Sequence, residues 1–346
     1  MLFSEYVKAW LLQKKMLAKI TTYANYTQKM YTHILPYFGQ IELGEIDRKT
    51  VQAFVFDMLS RKPMKVGLES YSVRFVKDLV VTLKTALNDA VREELIPRKV
   101  FEIKYPRDLR TKEVPTFTKE QQKKIVEGVY KEIEIPSRNF RNKNILVGIA
   151  ISLYTGLRIG EVCGLKLSDI DFKRKELSVN RTVFVAGVRD ENGITKDICS
   201  IQTPKTIHSI RCVPISKSLM DILKLIKPRS KNKQDFFITS GKEKPQSPRD
   251  LRVAYKSFLM RQGIPYIKFH ALRHTFATRC IEAGIDPKTV SSILGHATPL
   301  SRFQSIATLQ RTYVGNALKP SLNFRSPKNG ISQWIFREQR DRAKAN

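Results

Sequence analysis

Four stretches of this chain carry residue types that could grip a phosphate or move a proton. LQRTYVGN holds Tyr313, the last tyrosine of the sequence. A phenol of pKa about 10 is only about one part in a thousand ionised at neutral pH, so a nucleophilic role requires helpers elsewhere. In YTGLRIGEVCGLKLSDID, Arg158 follows an apolar run and a glycine. Glu161, three residues on, can reach back along a helical turn to orient that guanidinium, although a surface ion pair has the same spacing. In TPKTIHSIRCVPI, Lys205 stands at a turn entering a strand, with Arg211 six residues later. A flexible ammonium there suits phosphate contact or proton donation, and a solvated hairpin equally.

The fourth stretch, KFHALRHTFATRCIEAGIDPKTVSSILGHA, contains three of the five histidines. His270 and Arg273 share one face at the start of a helix that Gly284 ends. Asp286 and Pro287 then cap a second helix, stopped by Gly295 just before His296. Two short helices joined through a glycine also fit a DNA-reading helix-turn-helix, and a histidine so placed can belong to the core. His274 is assigned a structural role.

Elements able to position these residues follow from the hydrophobic pattern. Residues 1–105 read as a four- or five-helix domain: Phe3, Tyr6, Val7 and Trp10 fall at helical spacing, as do Val73, Phe75, Val76, Leu79, Val80 and Leu83. HILPYFGQ and LIPRK supply the breaks. Residues 106–116, with Pro106 and Pro115 among charges, read as a linker. Thr118 and Gln121 form a capping box that opens a second domain at 117–320. Its first part is helical, with ILVGIAISLYTGL as an apolar face. ELSVNRTVFVA and SIRCVPIS then read as strands around the turn signal DENGIT, and helices resume after Pro214. The predicted class is mainly α with a small antiparallel β-sheet.

The composition points to a polyanionic partner. Lys and Arg number 62 against 32 Asp and Glu, giving a net charge of +30 spread along all 346 residues. Charge in both domains suits DNA better than a membrane surface, which needs only one basic patch. The opening MLFSEYVKAWLLQKKML is interrupted by charge and does not read as a signal peptide, and no apolar run is long enough to span a bilayer. Cys163, Cys199, Cys212 and Cys280 have no metal-ligand spacing and are too sparse for a disulfide framework. A reducing cytoplasm is expected, with no metal, no cofactor and no membrane.

Arg158 in TGLRIGE, Lys205 in PKTIHSIR, His270 and Arg273 in HALRH, His296 in LGH and Tyr313 in TYV stand in the order and settings of the tyrosine recombinases. The chain therefore resembles the phage integrase family across the second domain. Residues 1–105, in ITTYANYTQKMYTHILPYFGQIEL, are similar to that family's SAM-like core-binding domain. The resemblance implies a helical core-DNA-binding domain beside a catalytic domain of the DNA breaking-rejoining fold. It further implies a site-specific recombinase that cleaves DNA through a 3′-phosphotyrosyl link on Tyr313. In that scheme Arg158 and Arg273 clamp the phosphate, Lys205 protonates the leaving 5′-oxygen, His270 takes the tyrosine proton, His296 donates to the phosphate, and Glu161 supports the arginine. The implied partners are double-stranded core or att sites, three further copies in a homo-tetramer, an accessory DNA-bending protein and an excisionase, in the cytoplasm of a bacterial host.

Two features depart from the family pattern. His296 and Tyr313 lie several residues farther apart than in most relatives, which leaves delivery in cis or in trans open. The sequence opens directly on the part that resembles the core-binding domain, without the arm-binding module of many relatives, an arrangement expected of a truncated chain or of a simpler recombinase. Residues 321–346 carry the apolar stripe Ile331, Trp334 and Ile335, which suits docking on a neighbouring subunit or on the tail's own domain. The alternative functions are a type IB topoisomerase, which shares the chemistry, and a non-catalytic helix-turn-helix DNA-binding protein.

Overall fold

The computed structural model describes residues 1–63, 70–97, 102–106, 115–135, 140–202, 210–225, 236 and 245–295. Most of the expected linker and all of the expected tail lie outside them. The chain divides into two compact units, Met1–Lys112 with Val185–Ile198, and Glu113–Phe184 with Cys199–Asn346.

The first unit is helical: α1 (Phe3–Leu17), α2 (Ile20–Lys29), a π-helical turn (Met30–Ile34), α3 (Leu35–Phe38), α4 (Arg48–Ser60) and α5 (Val73–Arg92). Phe3, Tyr6, Val7 and Trp10 of α1 are buried, as are Val76, Leu79, Val80 and Leu83 of α5, so both helical stripes face one core. Polar residues within it are paired. Trp10 donates its indole N–H to Asp89 at 2.8 Å, and the Lys29 ammonium lies 2.6 Å from Asp78. A buried charge is tolerable only with such a partner.

One expected break falls differently. HILPYFGQ does not interrupt the helix, because the π turn carries the backbone into α3 with Pro36 in its first turn. Pro36 offers no N–H to the turn before it, and the wider π turn there accommodates the missing bond, so the chain turns away only after Phe38.

The second unit opens with α6 (Lys119–Glu134), where Thr118 and Gln121 make both bonds of the capping box at 3.2 and 3.0 Å. α7 (Phe140–Thr155) runs through the core and is followed by the short α8 (Ile159–Cys163). Among the described residues five strands come next: β1 (Ile170–Asp171), β2 (Glu176–Val179), β3 (Thr182–Arg189), β4 (Thr195–Gln202) and β5 (Arg211–Pro214). β1, β2 and β5 form an antiparallel sheet in that order, with Leu177 opposite Val213. α9 (Lys217–Leu225), α10 (Pro248–Arg261), α11 (His270–Glu282) and α12 (Pro287–Leu294) follow among the described residues.

The strand region is more divided than its sequence suggests. ELSVNRTVFVA is two strands in two sheets, and the turn at DENGIT joins β3 to β4, not to SIRCVPIS. β4 is largely exposed and polar, so it lacks the apolar alternation that marks β2. The β3–β4 tip is counted with the first unit, where the Arg189 backbone N–H donates to Thr27 Oγ1 at 3.3 Å and Lys8 pairs with Glu191 at 3.4 Å. Among the described residues no helix is long and apolar enough to cross a membrane.

Candidate active site

The site is built where α8, β5, α11 and α12 meet. Arg158 is the residue that starts α8, with extended backbone, so Glu161 in the first turn can return to it. The Glu161 carboxylate accepts the Arg158 backbone N–H at 2.8 Å and its Nη1 at 2.9 Å. This is the pairing expected from the spacing. A third residue joins it: Arg211 of β5 donates Nη1 and Nη2 to the two Glu161 oxygens at 3.1 and 3.0 Å. Fork-to-carboxylate geometry of this kind is the stronger and more directional form of ion pair.

The same arginines reach the carboxyl end of α12. Arg211 Nε donates to the Ile293 carbonyl at 2.7 Å, Arg273 Nη2 to the Leu294 carbonyl at 2.8 Å, and Arg158 Nη2 to the Gly295 carbonyl at 3.3 Å. Arg273 also donates Nη1 to the Gly156 carbonyl at 2.8 Å. The last carbonyls of a helix lack intrahelical donors and lie at the negative end of its dipole, so cations there are favourable. Arg273 is only 2% exposed, and these acceptors compensate its lost hydration. The Arg158 side chain, by contrast, is 40% exposed.

Electrostatics follow from this crowding of positive charge. Burial pushes the Glu161 carboxyl upward, but the Arg211 hydrogen bonds and charge, with Arg158 behind them, hold it below the ordinary carboxylate range. Burial and the neighbouring Arg158 pull the Arg273 guanidinium down to about 9, so it stays charged at neutral pH. His270 opens α11 with its ring edge-on to His274, centroids 4.6 Å apart. Desolvation on its packed side, then His274, Arg273 and Arg158, push its pKa from 6.5 to about 4. His270 is therefore neutral at pH 7 and keeps an open nitrogen lone pair, and the same shift weakens it as a base. His274 is lowered as well, by burial and by Arg273.

Of the residues singled out by sequence, the structure brings Arg158, Glu161, His270 and Arg273 together. Lys205, His296 and Tyr313 lie outside the described residues. Arg211 was named only as the residue six after Lys205, without a role. A lone arginine at a strand start is an ordinary surface residue by pattern, and only the fold reveals its partner.

Comparison with known proteins agrees with this geometry. The phage integrase family model matches residues 108–313, more than half of the chain. The chain belongs to the phage integrase family. A second model, the phage integrase N-terminal SAM-like domain, matches residues 2–59. A XerC-like tyrosine recombinase of Caldanaerobacter subterraneus subsp. tengcongensis is 32% identical over 280 residues, covering 75% of this chain and 69% of that protein. The transposase from transposon Tn916 of Enterococcus faecalis is 27% identical over 250 residues, covering 68% of this chain and 58% of that protein. The chain thus spans little more than half the length of that transposase. The structure of the Tn1549 transposon integrase, in complex with transposon right end DNA, superposes with a TM-score of 0.65 at 20% identity, covering 92% of this chain and all of that one. It shows the shared fold. As a tyrosine recombinase this integrase-family chain is a DNA strand-transfer enzyme of site-specific recombination, and the topoisomerase and helix-turn-helix alternatives are set aside.

Proposed function

We propose that this recombinase cleaves and rejoins DNA through Tyr313, promoting integration and excision of a mobile element. The observation that carries the reading is the convergence of Arg158 and Arg273 beside a neutral His270. Two guanidiniums, one buried and one exposed, suit a scissile phosphate whose non-bridging oxygens gain charge in the transition state. Tyr313 Oη attacks phosphorus, forming the phosphotyrosyl bond as the P–O5′ bond breaks. The phenol proton passes to His270, and Lys205 gives a proton to the departing 5′-oxygen. His296 donates to the phosphate. The partner strand's 5′-hydroxyl then reverses these transfers.

In the same reading, residues 1–105 hold the core DNA, 106–116 link them to the catalytic domain at 117–320, and 321–346 dock on a neighbour. Four copies act on two att sites, with an accessory DNA-bending protein and an excisionase setting direction, in the bacterial cytoplasm. Because the phosphotyrosyl link conserves the phosphodiester's energy, direction comes from assembly. Tyr313 serves its own active site.

Nicked suicide duplexes tiled across the DNA flanking the gene provide the test. The wild-type chain should form a covalent adduct on a denaturing gel with one of them, and Tyr313→Phe should bind that duplex without forming it. An adduct that survives Tyr313→Phe removes Tyr313 as the nucleophile. Exchange between two duplexes, with no relaxation of supercoils by a lone subunit, supports recombination.

A further inference from the structure

We infer that Arg211 is a positioning residue for cleavage: as the counter-ion of Glu161, it keeps the Arg158 guanidinium free to receive the scissile phosphate. The inference deepens the proposed function and rests on the reading of Arg158 as a phosphate ligand.

Glu161 is the carboxylate to which both Arg158 and Arg211 are bonded. Each of its oxygens accepts twice: Oε1 from Arg158 Nη1 and Arg211 Nη1, Oε2 from the Arg158 backbone N–H and Arg211 Nη2. Arg211 presents both ends of its fork to the carboxylate and Arg158 presents one. The Glu161 and Arg211 side chains are 9% and 7% exposed, so water competes little with that pair. Arg158 keeps its Nη2 on a long 3.3 Å bond to the Gly295 carbonyl and remains solvent-accessible. Without Arg211, Glu161 would have, among the described residues, only Arg158 bonded to it as a cation. A buried carboxylate with one remaining cation draws that cation into bidentate contact, which removes the donors the phosphate needs. Arg211 also fixes the end of α12 through the Ile293 carbonyl, and a Cβ on Gly295 would lie 3.0 Å from its Nη1. The chain leading to His296 leaves from that point.

Charge arithmetic gives a test that a purely structural role would not satisfy. Arg158, Arg211, Arg273 and Glu161 sum to +2, Arg211→Met leaves +1, and adding Glu161→Gln restores +2. Full-length chains are treated with phenylglyoxal and Arg158 modification is followed by mass spectrometry, without DNA. Arg211→Met should slow modification of Arg158 about tenfold, within the usual range of coupling between contacting charges, and the double variant should recover it. Arg211→Lys, which keeps the charge but cannot fork, should fall between and serves where the methionine variant does not fold. On the duplex that wild type cleaves, the adduct rate should follow the same order, with DNA affinity unchanged. Unchanged Arg158 reactivity in Arg211→Met and Arg211→Lys, or a double variant no better than Arg211→Met, overturns the inference. Because the glyoxal measurement uses no DNA, a wild type that forms no adduct rejects the proposed function and not this pairing.

Discussion

Arg158 and Arg273 share an acceptor: the Leu294 carbonyl oxygen receives Nη1 of Arg158 at 3.5 Å and Nη2 of Arg273 at 2.8 Å. Two guanidiniums aimed at one oxygen define a place where negative charge is favoured, and the carbonyl at the end of α12 supplies only a partial charge. A phosphate beside it offers a full one.

Arg273→Lys removes the fork that spans the Gly156 and Leu294 carbonyls. An ammonium carries its three donors on one nitrogen and lacks the separated Nη1 and Nη2 that reach the two carbonyls. Adduct formation in single turnover should fall roughly a hundredfold or more, as for other preorganised donors to a transition state. Binding measured by fluorescence anisotropy should change far less, since many phosphates share it. Equal losses in the two measurements would mean that Arg273 holds DNA without favouring the transition state.

His270 should titrate near 4 in the DNA-free protein, which NMR of its ring nitrogens can follow. Its folded pKa lies below the ordinary 6.5, so the unfolded chain binds the proton more readily. The stability it contributes is complete above about 6.5 and is lost as pH falls toward about 4. Denaturation midpoints should therefore decline across that window, and His270→Asn should flatten the decline. A midpoint near 6.5 in the NMR titration contradicts the electrostatic picture.

Gly295→Ala and Gly284→Ala form an informative pair. Both glycines have left-handed backbone, φ +64 and +82, but a Cβ on Gly284 meets nothing within 4 Å while one on Gly295 meets Arg211 Nη1 at 3.0 Å and its Cδ at 3.2 Å. Each substitution should cost about 1–2 kcal/mol in chemical denaturation, from backbone strain. Only Gly295→Ala should also slow adduct formation, because it shifts the residue that holds Glu161. Matching rates for the two variants would separate Arg211 from cleavage.

DNA affinity should fall steeply with salt. For six to ten neutralised phosphates, the loss is about 10³ to 10⁵ between 50 and 200 mM salt. A plot of log affinity against log salt that is nearly flat would be incompatible with a chain of net charge +30 acting through phosphate contacts.

The sequence was legible where a local rule governs. The Thr118 capping box, the Asp286–Pro287 helix start and the Arg158–Glu161 pair all depend on residues three or fewer apart, and each is found as spaced. It was less legible where distant residues decide. Pro36 reads as a breaker until the π turn before it is seen, and β4 goes unmarked between DENGIT and SIRCVPIS because neither of its faces is well buried. Arg211 is the sharpest case: fifty residues separate it from Glu161, and no periodicity connects them. His270 and Arg273 were recognisable as a pair, but the buried character of Arg273 and the exposed character of Arg158 came only from packing.

The hairpin tip at Val185–Ile198, grouped with the amino-terminal helices, means that this unit is written in two separate places along the gene. A fragment ending at residue 112 omits the strand ends that cover Thr27 and pair with Lys8. Exchange of the amino-terminal half between relatives therefore cannot be a single crossover. It must carry a short second passage, embedded in the coding sequence of the other unit, or leave the transplanted helices with an uncovered flank.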